Sequence, residues 1–261
     1  MSGMAASVRR TDHGHVALVV IDRPQARNAI DAAAARAMAD VVAAIEADPA
    51  IRAAVLTGSG EQAFCAGADL KELAAGSAPG GRSTPEGGFA GFVFAGRAKP
   101  WIAAVNGAAV AGGLELVLAC DFAIAVRHAR FALPEVQRGL AATAGGVWRL
   151  PRALPRGVAL EMIATGEPIT AAQARRLGLV NRLVPPAQLR DEALRVAGRI
   201  AANAPLAVRE SLALARRALD ADEAALRAAA AEAARRVLSH GDAREGPQAF
   251  AQGRAPQWRS A

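Results

Sequence analysis

Ala103-Ala104-Val105-Asn106-Gly107-Ala108-Ala109-Val110-Ala111-Gly112-Gly113-Leu114-Glu115-Leu116-Val117-Leu118-Ala119-Cys120-Asp121 is the stretch on which the reading of this chain turns. The apolar run Trp101 to Val105 reads as a strand that stops at the turn dipeptide Asn106-Gly107. Small residues follow, then Gly112-Gly113, where bare backbone N–H groups can come close to a ligand. Leu114 to Cys120 reads as a buried helix, apolar on every side except for Glu115. A carboxylate in such a helix is costly to bury unless something pairs with it. Twenty residues beyond it, after the strand-like segments Phe122 to Val126 and Ala129 to Leu133, comes Glu135. Two carboxylates delivered toward one small-residue turn predict a pocket that handles protons.

Composition narrows the class. At 261 residues, the chain fits one large domain or a core with an appendage. Tyrosine is absent and aromatics make up 4%, so the core has to rest on aliphatic packing. Cys65 and Cys120 are isolated, which argues against a disulfide framework and for a reducing, cytoplasmic setting. No apolar run approaches the roughly 20 residues that span a bilayer, so a membrane partner is not expected. The net charge of +7 suits either nucleic acid or a small polyanion such as a phosphorylated cofactor. There is no dense Lys/Arg block interleaved with aromatics, which makes nucleic acid the weaker choice. His13, His15, His128 and His240 have no metal-ligand spacing, and no metal site is expected.

Along the chain, His15 to Ile21 and Ile51 to Thr57 read as buried strands around an Ala-rich helix that ends near Asp48-Pro49. Gly58-Ser59-Gly60 is read as a plain turn, because its spacing is not that of a nucleophile elbow. In Ala63-Phe64-Cys65-Ala66-Gly67-Ala68-Asp69-Leu70-Lys71-Glu72, Asp69 and Glu72 have the spacing of a helix N-cap and capping box. The stretch from Ala74 to Gly91 reads as a loop and a candidate lid. No G-x-G-x-x-G follows a strand and no Walker lysine is present, so the strand–strand–helix layout is not a doubly wound nucleotide fold. Gly145-Gly146 opens a helix that Pro151 is expected to break, and from Ala187 onward only helices are expected. The predicted division is a core over 1–186 and a helical region over 187–261. Its Ala-rich helices bury little area each, which points to packing against another subunit.

The turns at Ala66 and Gly112 together offer an oxyanion hole, a set of backbone donors for a carbonyl that gains negative charge. Glu115, about one helical turn past Gly112, and Glu135 would face the same carbonyl. Two carboxylates in one apolar pocket raise the pKa of at least one, so one can act as acid and the other as base.

These residues closely resemble the crotonase (enoyl-CoA hydratase/isomerase) superfamily. The resemblance runs through Arg23-Pro24, Asn28-Ala29, Phe64 to Leu70, Ala104 to Gly107, Gly112-Gly113 with Glu115, and Leu133-Pro134-Glu135. It continues through Gly145-Gly146, Arg149-Leu150-Pro151, Thr165-Gly166, Gly178 to Asn181, Glu245-Gly246 and Ala249-Phe250. It implies an α/β fold, a spiral of ββα units with C-terminal helices that form trimers or dimers of trimers. It also implies an acyl-CoA substrate that carries its own coenzyme, so that no separate cofactor is needed.

By the same resemblance, the N–H groups of Ala66 and Gly112 hold the thioester oxygen. Glu115 and Glu135 hold a water between them, Glu115 activating it for attack at C3 and Glu135 giving the proton to C2. Gln25, Ala26, Arg27, Ala66, Ala68, Asp69 and Leu70 correspond to segments that line coenzyme A, and Phe250 and Arg254 to residues that reach a neighbouring subunit's coenzyme. Thr143 and Leu114 depart from the smaller residues common at those places, and Leu114 is expected to bear on the acyl pocket. The expected reaction is hydration of an enoyl-CoA to a 3-hydroxyacyl-CoA, or the reverse dehydration. Competing readings are a double-bond isomerase that uses Glu135 alone and a basic RNA-binding or scaffolding relative.

Overall fold

The computed structural model describes residues 6–69 and 79–259. Strands β1 (Val8–His13) and β2 (Val16–Ile21) form an antiparallel hairpin at one edge of a six-stranded sheet. Parallel strands β3 (Ala53–Gly58), β7 (Trp101–Val105), β9 (Phe122–Val126) and β12 (Arg182–Val184) complete it in the order β1-β2-β3-β7-β9-β12. A second sheet runs in the order β11 (Ile169–Thr170), β10 (Arg130–Ala132), β8 (Ala108–Val110), β4 (Ala63–Cys65).

The pairs β3/β4, β7/β8 and β9/β10 each contribute one strand to each sheet, which is the ββα spiral written as topology. Parallel neighbours need a crossover, and the chain supplies it by passing through the second sheet and a helix before returning. The central strands are buried on both faces, so Val55 and Leu56 of β3 and every residue of β7 read as continuous apolar runs.

Helix α1 (Ala32–Ala47) starts where the Asp31 side chain accepts the Ala34 N–H at 2.7 Å. Helix α2 (Gly112–Ala119) carries Glu115 in its first turn and buries all six residues from Gly112 to Val117. Two buried asparagines hold the loops between the sheets. Asn28 Nδ2 donates to Ser59 O and Ala63 O, and Asn106 Nδ2 donates to Gly60 O and Ala63 O.

Three expectations change against the structure, and one is not reached by it. Helix α3 (Gly146–Ala153) runs through Pro151 instead of breaking at it. Within the expected loop, Pro79–Arg82 forms a 3₁₀ turn, and β5 (Ser83–Thr84) pairs with β6 (Gly88–Phe89) as a short hairpin whose Phe89 and Ala90 are buried. Gly88 and Gly91 take positive φ there, and the resulting turns let this segment pack as a wall. The helix expected to begin at Asp69 lies outside the described residues. Finally, Leu114 packs in the core and is not part of the cavity lining.

Helices α4 (Arg156–Thr165) and α5 (Ala171–Leu177) follow, the latter with a capping box of Thr170 and Gln173. Next, α6 (Leu189–Ala201) lays Leu189, Ala193, Val196, Ala197 and Ala201 into the main core, so that core extends past Pro186. By contrast, α7 (Pro205–Arg217) buries no residue and α8 (Glu223–Ser239) buries only Ala233. A further helix, α9 (Asp242–Ala251), continues through Pro247.

Candidate active site

The Asn28–Ala29 and Ala66–Asp69 segments lie side by side. Ile30 N–H donates to Gly67 O, and Asp69 N–H donates to Ile30 O. Arg23 braces the pair from below, with ion pairs to Asp31 at 2.7 Å and Asp69 at 3.3 Å and a hydrogen bond to Ala29 O. The two small-residue turns meet at Gly67, which has φ +89. A Cβ there would sit 2.9 Å from Ala111 Cβ and 3.0 Å from Gly112 N. Gly113 is bare for a related reason, since a Cβ on it would collide with Cys65 O. Glycine at these positions is what allows the turns to close on each other.

The geometry corrects one expected donor. Ala66 N–H is spent on Arg27 O at 3.1 Å, so it is not available to a ligand. Among the described residues, the N–H groups of Ala68 and Gly112 have no hydrogen-bond partner, and both residues line the same cavity. The signal was present in the sequence as the alternation of small residues through 66–68. Only the parallel bridge between Ile30 and Ala68 decides which N–H points outward.

That cavity has a volume of about 510 Å³. Glu115 and Glu135 both line it, together with Phe89 and Thr143. Glu115 is almost wholly buried, and its Oε1 accepts the Gly146 N–H at 2.9 Å. Burial pushes its carboxyl up to about 7, against the pull of the Gly146 and Ala144 N–H groups and with a further push from Glu135. Glu135 sits in the first turn of the 3₁₀ segment Pro134–Arg138, and burial raises its pKa too, with Arg138 working the other way. Its buried Oε2 has no hydrogen-bond partner among the described residues. Two carboxyls whose pKa values are both lifted, in one cavity beside two outward N–H groups, form a site that can hold and pass one proton.

The remaining expected residues fall elsewhere. Gln25, Ala26 and Arg27 form the 3₁₀ turn Pro24–Ala26 and its left-handed cap, which touches the site through Arg27 O. Asp69 is an ion-pair partner of Arg23, and Leu70 lies outside the described residues. Phe250 on α9 is 89% exposed, and Arg254 is held by Glu245 at 2.6 Å, with neither in the cavity lining. Asp121 accepts Trp101 N–H at 2.8 Å and pairs with Arg216 at 2.7 Å, the bonding of a structural residue. Cys65 and Cys120 are free thiols pushed up to about 12 by burial, which keeps them protonated. Among the described residues, no group of three or more His, Cys, Asp or Glu is placed to hold a metal ion. None of their helices is long and apolar enough to cross a membrane.

Residues that the sequence reading did not pick out include Phe89, Arg82 and Ser83, all on the cavity wall, and Gly146 as the donor to Glu115. The Gly145-Gly146 turn was visible, but nothing in its spacing linked it to a glutamate 31 residues earlier.

A fold with this strand distribution and a paired-glutamate cavity defines a class, and residues 11–261 match the model of the enoyl-CoA hydratase/isomerase family. The chain belongs to that family, and is a lyase of the hydratase/dehydratase type. Among its relatives, carnitinyl-CoA dehydratase of Salmonella arizonae is 43% identical, the match covering 98% of this chain and 99% of that one. The crystal structure of enoyl-CoA hydratase from Mycobacterium tuberculosis superposes with a TM-score of 0.93 at 38% identity, covering 98% of this chain and all of the other. That of carnitinyl-CoA hydratase from Mycobacterium avium gives 0.80 at 45% identity, covering 99% of this chain and all of the other.

Proposed function

We propose that this protein interconverts a 2-enoyl-CoA and its 3-hydroxyacyl-CoA by general acid–base chemistry shared between Glu115 and Glu135. The observation that carries this reading is the pair of buried carboxyls with raised pKa values on the wall of one cavity that also exposes the Ala68 and Gly112 N–H groups. In hydration, Glu115 as carboxylate takes a proton from water while the water oxygen bonds to C3. The C2–C3 electron pair shifts toward the thioester, and the two N–H groups stabilise the enolate oxygen. Glu135 as acid then delivers a proton to C2. Dehydration runs the same steps backward, with Glu135 taking the C2 proton and Glu115 giving one to the departing hydroxyl. Each direction needs one proton on the pair.

Coenzyme A arrives on the substrate, and no resident cofactor enters these steps. The sparsely buried α7 and α8 and the exposed Leu219, Leu238 and Phe250 support self-association through the C-terminal helices as a trimer or a dimer of trimers. The test is mass spectrometry of products from a panel of thioesters: crotonyl-CoA, longer 2-enoyl-CoAs, their 3-hydroxy forms and carnitinyl-CoA. Gain or loss of one water on at least one pair is expected. Movement of the double bond without water uptake on any of them would refute the reading in favour of an isomerase.

A further inference from the structure

Behind the Gly145–Gly146 turn, on the side away from the cavity, lies the guanidinium of Arg149 on α3. Its Nη2 donates to Val93 O at 2.8 Å, and its Cζ lies 5.5 Å from the centre of the Phe94 ring. Nη1 is buried and has no hydrogen-bond partner among the described residues. It packs over the turn itself, because a Cβ built on Gly145 would lie 2.8 Å from it. The backbone N–H of Arg149 also donates to Gly145 O at 2.8 Å. The same turn presents its Gly146 N–H to Glu115 on the other side. One residue thus ties the 93–94 wall to the turn from behind while the turn holds a catalytic carboxyl in front.

A half-buried guanidinium with one empty donor is costly, and hydrogen bonding to the wall does not account for that donor. We propose that Arg149 is a positioning residue for Glu115: from behind the Gly145–Gly146 turn it fixes the N–H that binds the carboxylate form and supplies the cation which that form faces. This rests on the reading of Glu115 as the group that exchanges a proton with water. The charged groups around Glu115 are Glu135 from the 3₁₀ segment and Arg149 from α3, so Arg149 is the cation opposed to the repulsion from Glu135. Arg97, Arg152 and Cys120 are the other titratable groups near Arg149.

The experiment is the pH profile of kcat/KM in the dehydration direction for wild type, R149M, R149K and E115Q with 3-hydroxybutyryl-CoA, or with the fastest 3-hydroxyacyl thioester of the panel, because there Glu115 is the acid and its deprotonation sets the alkaline limb. Loss of the cation makes Glu115 hold its proton more tightly. The alkaline limb of R149M is therefore expected to move up by about half to one pH unit, while R149K keeps the limb near its wild-type place and KM changes little in either. A uniform drop across all pH values in R149M, or an identical shift in R149K, would reduce Arg149 to a structural clamp and overturn the inference. E115Q separates the two layers. If the alkaline limb persists in it, the assignment of Glu115 fails and this inference with it; if the limb disappears there but stays unmoved in R149M, only the role of Arg149 fails.

Discussion

Replacing Gly67 with alanine tests whether the two turns work as one site. Two costs add at this position. A φ of +89 is outside the comfortable range of an L side chain, and that costs about 1–2 kcal/mol. The new methyl would lie 2.9 Å from Ala111 Cβ and 3.0 Å from Gly112 N, so one turn has to retreat by several tenths of an ångström. Overpacking of that kind adds about 1–3 kcal/mol. The retreat moves Gly112 N–H relative to Ala68 N–H, and misplacement near 1 Å costs on the order of 100-fold in rate. Gly14 supplies the control: its φ is +59 but nothing lies within 4 Å of its Cβ position, so Gly14→Ala carries the backbone cost alone. Thermal unfolding and the disappearance of the enoyl thioester absorbance, measured on both variants, give the comparison. Gly67→Ala is expected to lose about 10- to 100-fold in kcat/KM and to unfold at lower temperature than Gly14→Ala, which keeps wild-type turnover. Wild-type turnover by Gly67→Ala, with stability no lower than that of Gly14→Ala, would refute the claim that the turns meet to form a joint donor pair.

Glu115→Gln and Glu135→Gln should each lower kcat by about 10²–10⁴-fold while coenzyme A affinity, measured by calorimetry, stays near wild type. The pH profile of kcat/KM should be bell-shaped, because the active form carries one proton on the pair. For dehydration, its alkaline limb falls near 7, where Glu115 gives up its proton, and its acid limb, where Glu135 as base takes one up, lies above the ordinary carboxylate range because Glu135 is raised as well; dehydration rates that climb steadily to pH 9 would contradict it. Stability follows the same group. The pKa of Glu115 is raised on folding, so the stability linked to its proton is fully present below about 4.5 and is lost as pH rises through about 7. Glu115→Gln removes that loss and should be more stable than wild type at pH 8, by up to about 3 kcal/mol; denaturant melts of both proteins across this range check the sign.

Much of the fold could be read from single residues because its causes are local. The apolar runs at Val16 to Ile21 and Trp101 to Val105 are strands buried on both faces, and Asp31 caps a helix through its own side chain. Glu115 stood out because a lone carboxylate in an apolar helix has a desolvation cost that only a function or a partner offsets. Proline misled at Pro151. A missing N–H forbids one hydrogen bond, but the helix there is held by what packs around it.

Which amide is left open in the cavity is decided at longer range. Ala66 and Ala68 are chemically alike, and both sit in the same small-residue run. The first donates to Arg27 O, 39 residues back in the chain, and the second is left open by the bridge to Ile30. By itself, then, the sequence determined the main buried strands, the buried acid and the class of chemistry, since these depend on side-chain burial and local backbone freedom. Only the tertiary structure decided that Gly146 holds Glu115, that Arg149 stands behind that turn, and that the N–H left open is that of Ala68 and not that of Ala66. Those facts depend on which backbone groups distant segments satisfy in one another, and hydrogen-bond partners across a sheet leave no trace in the residues that flank them.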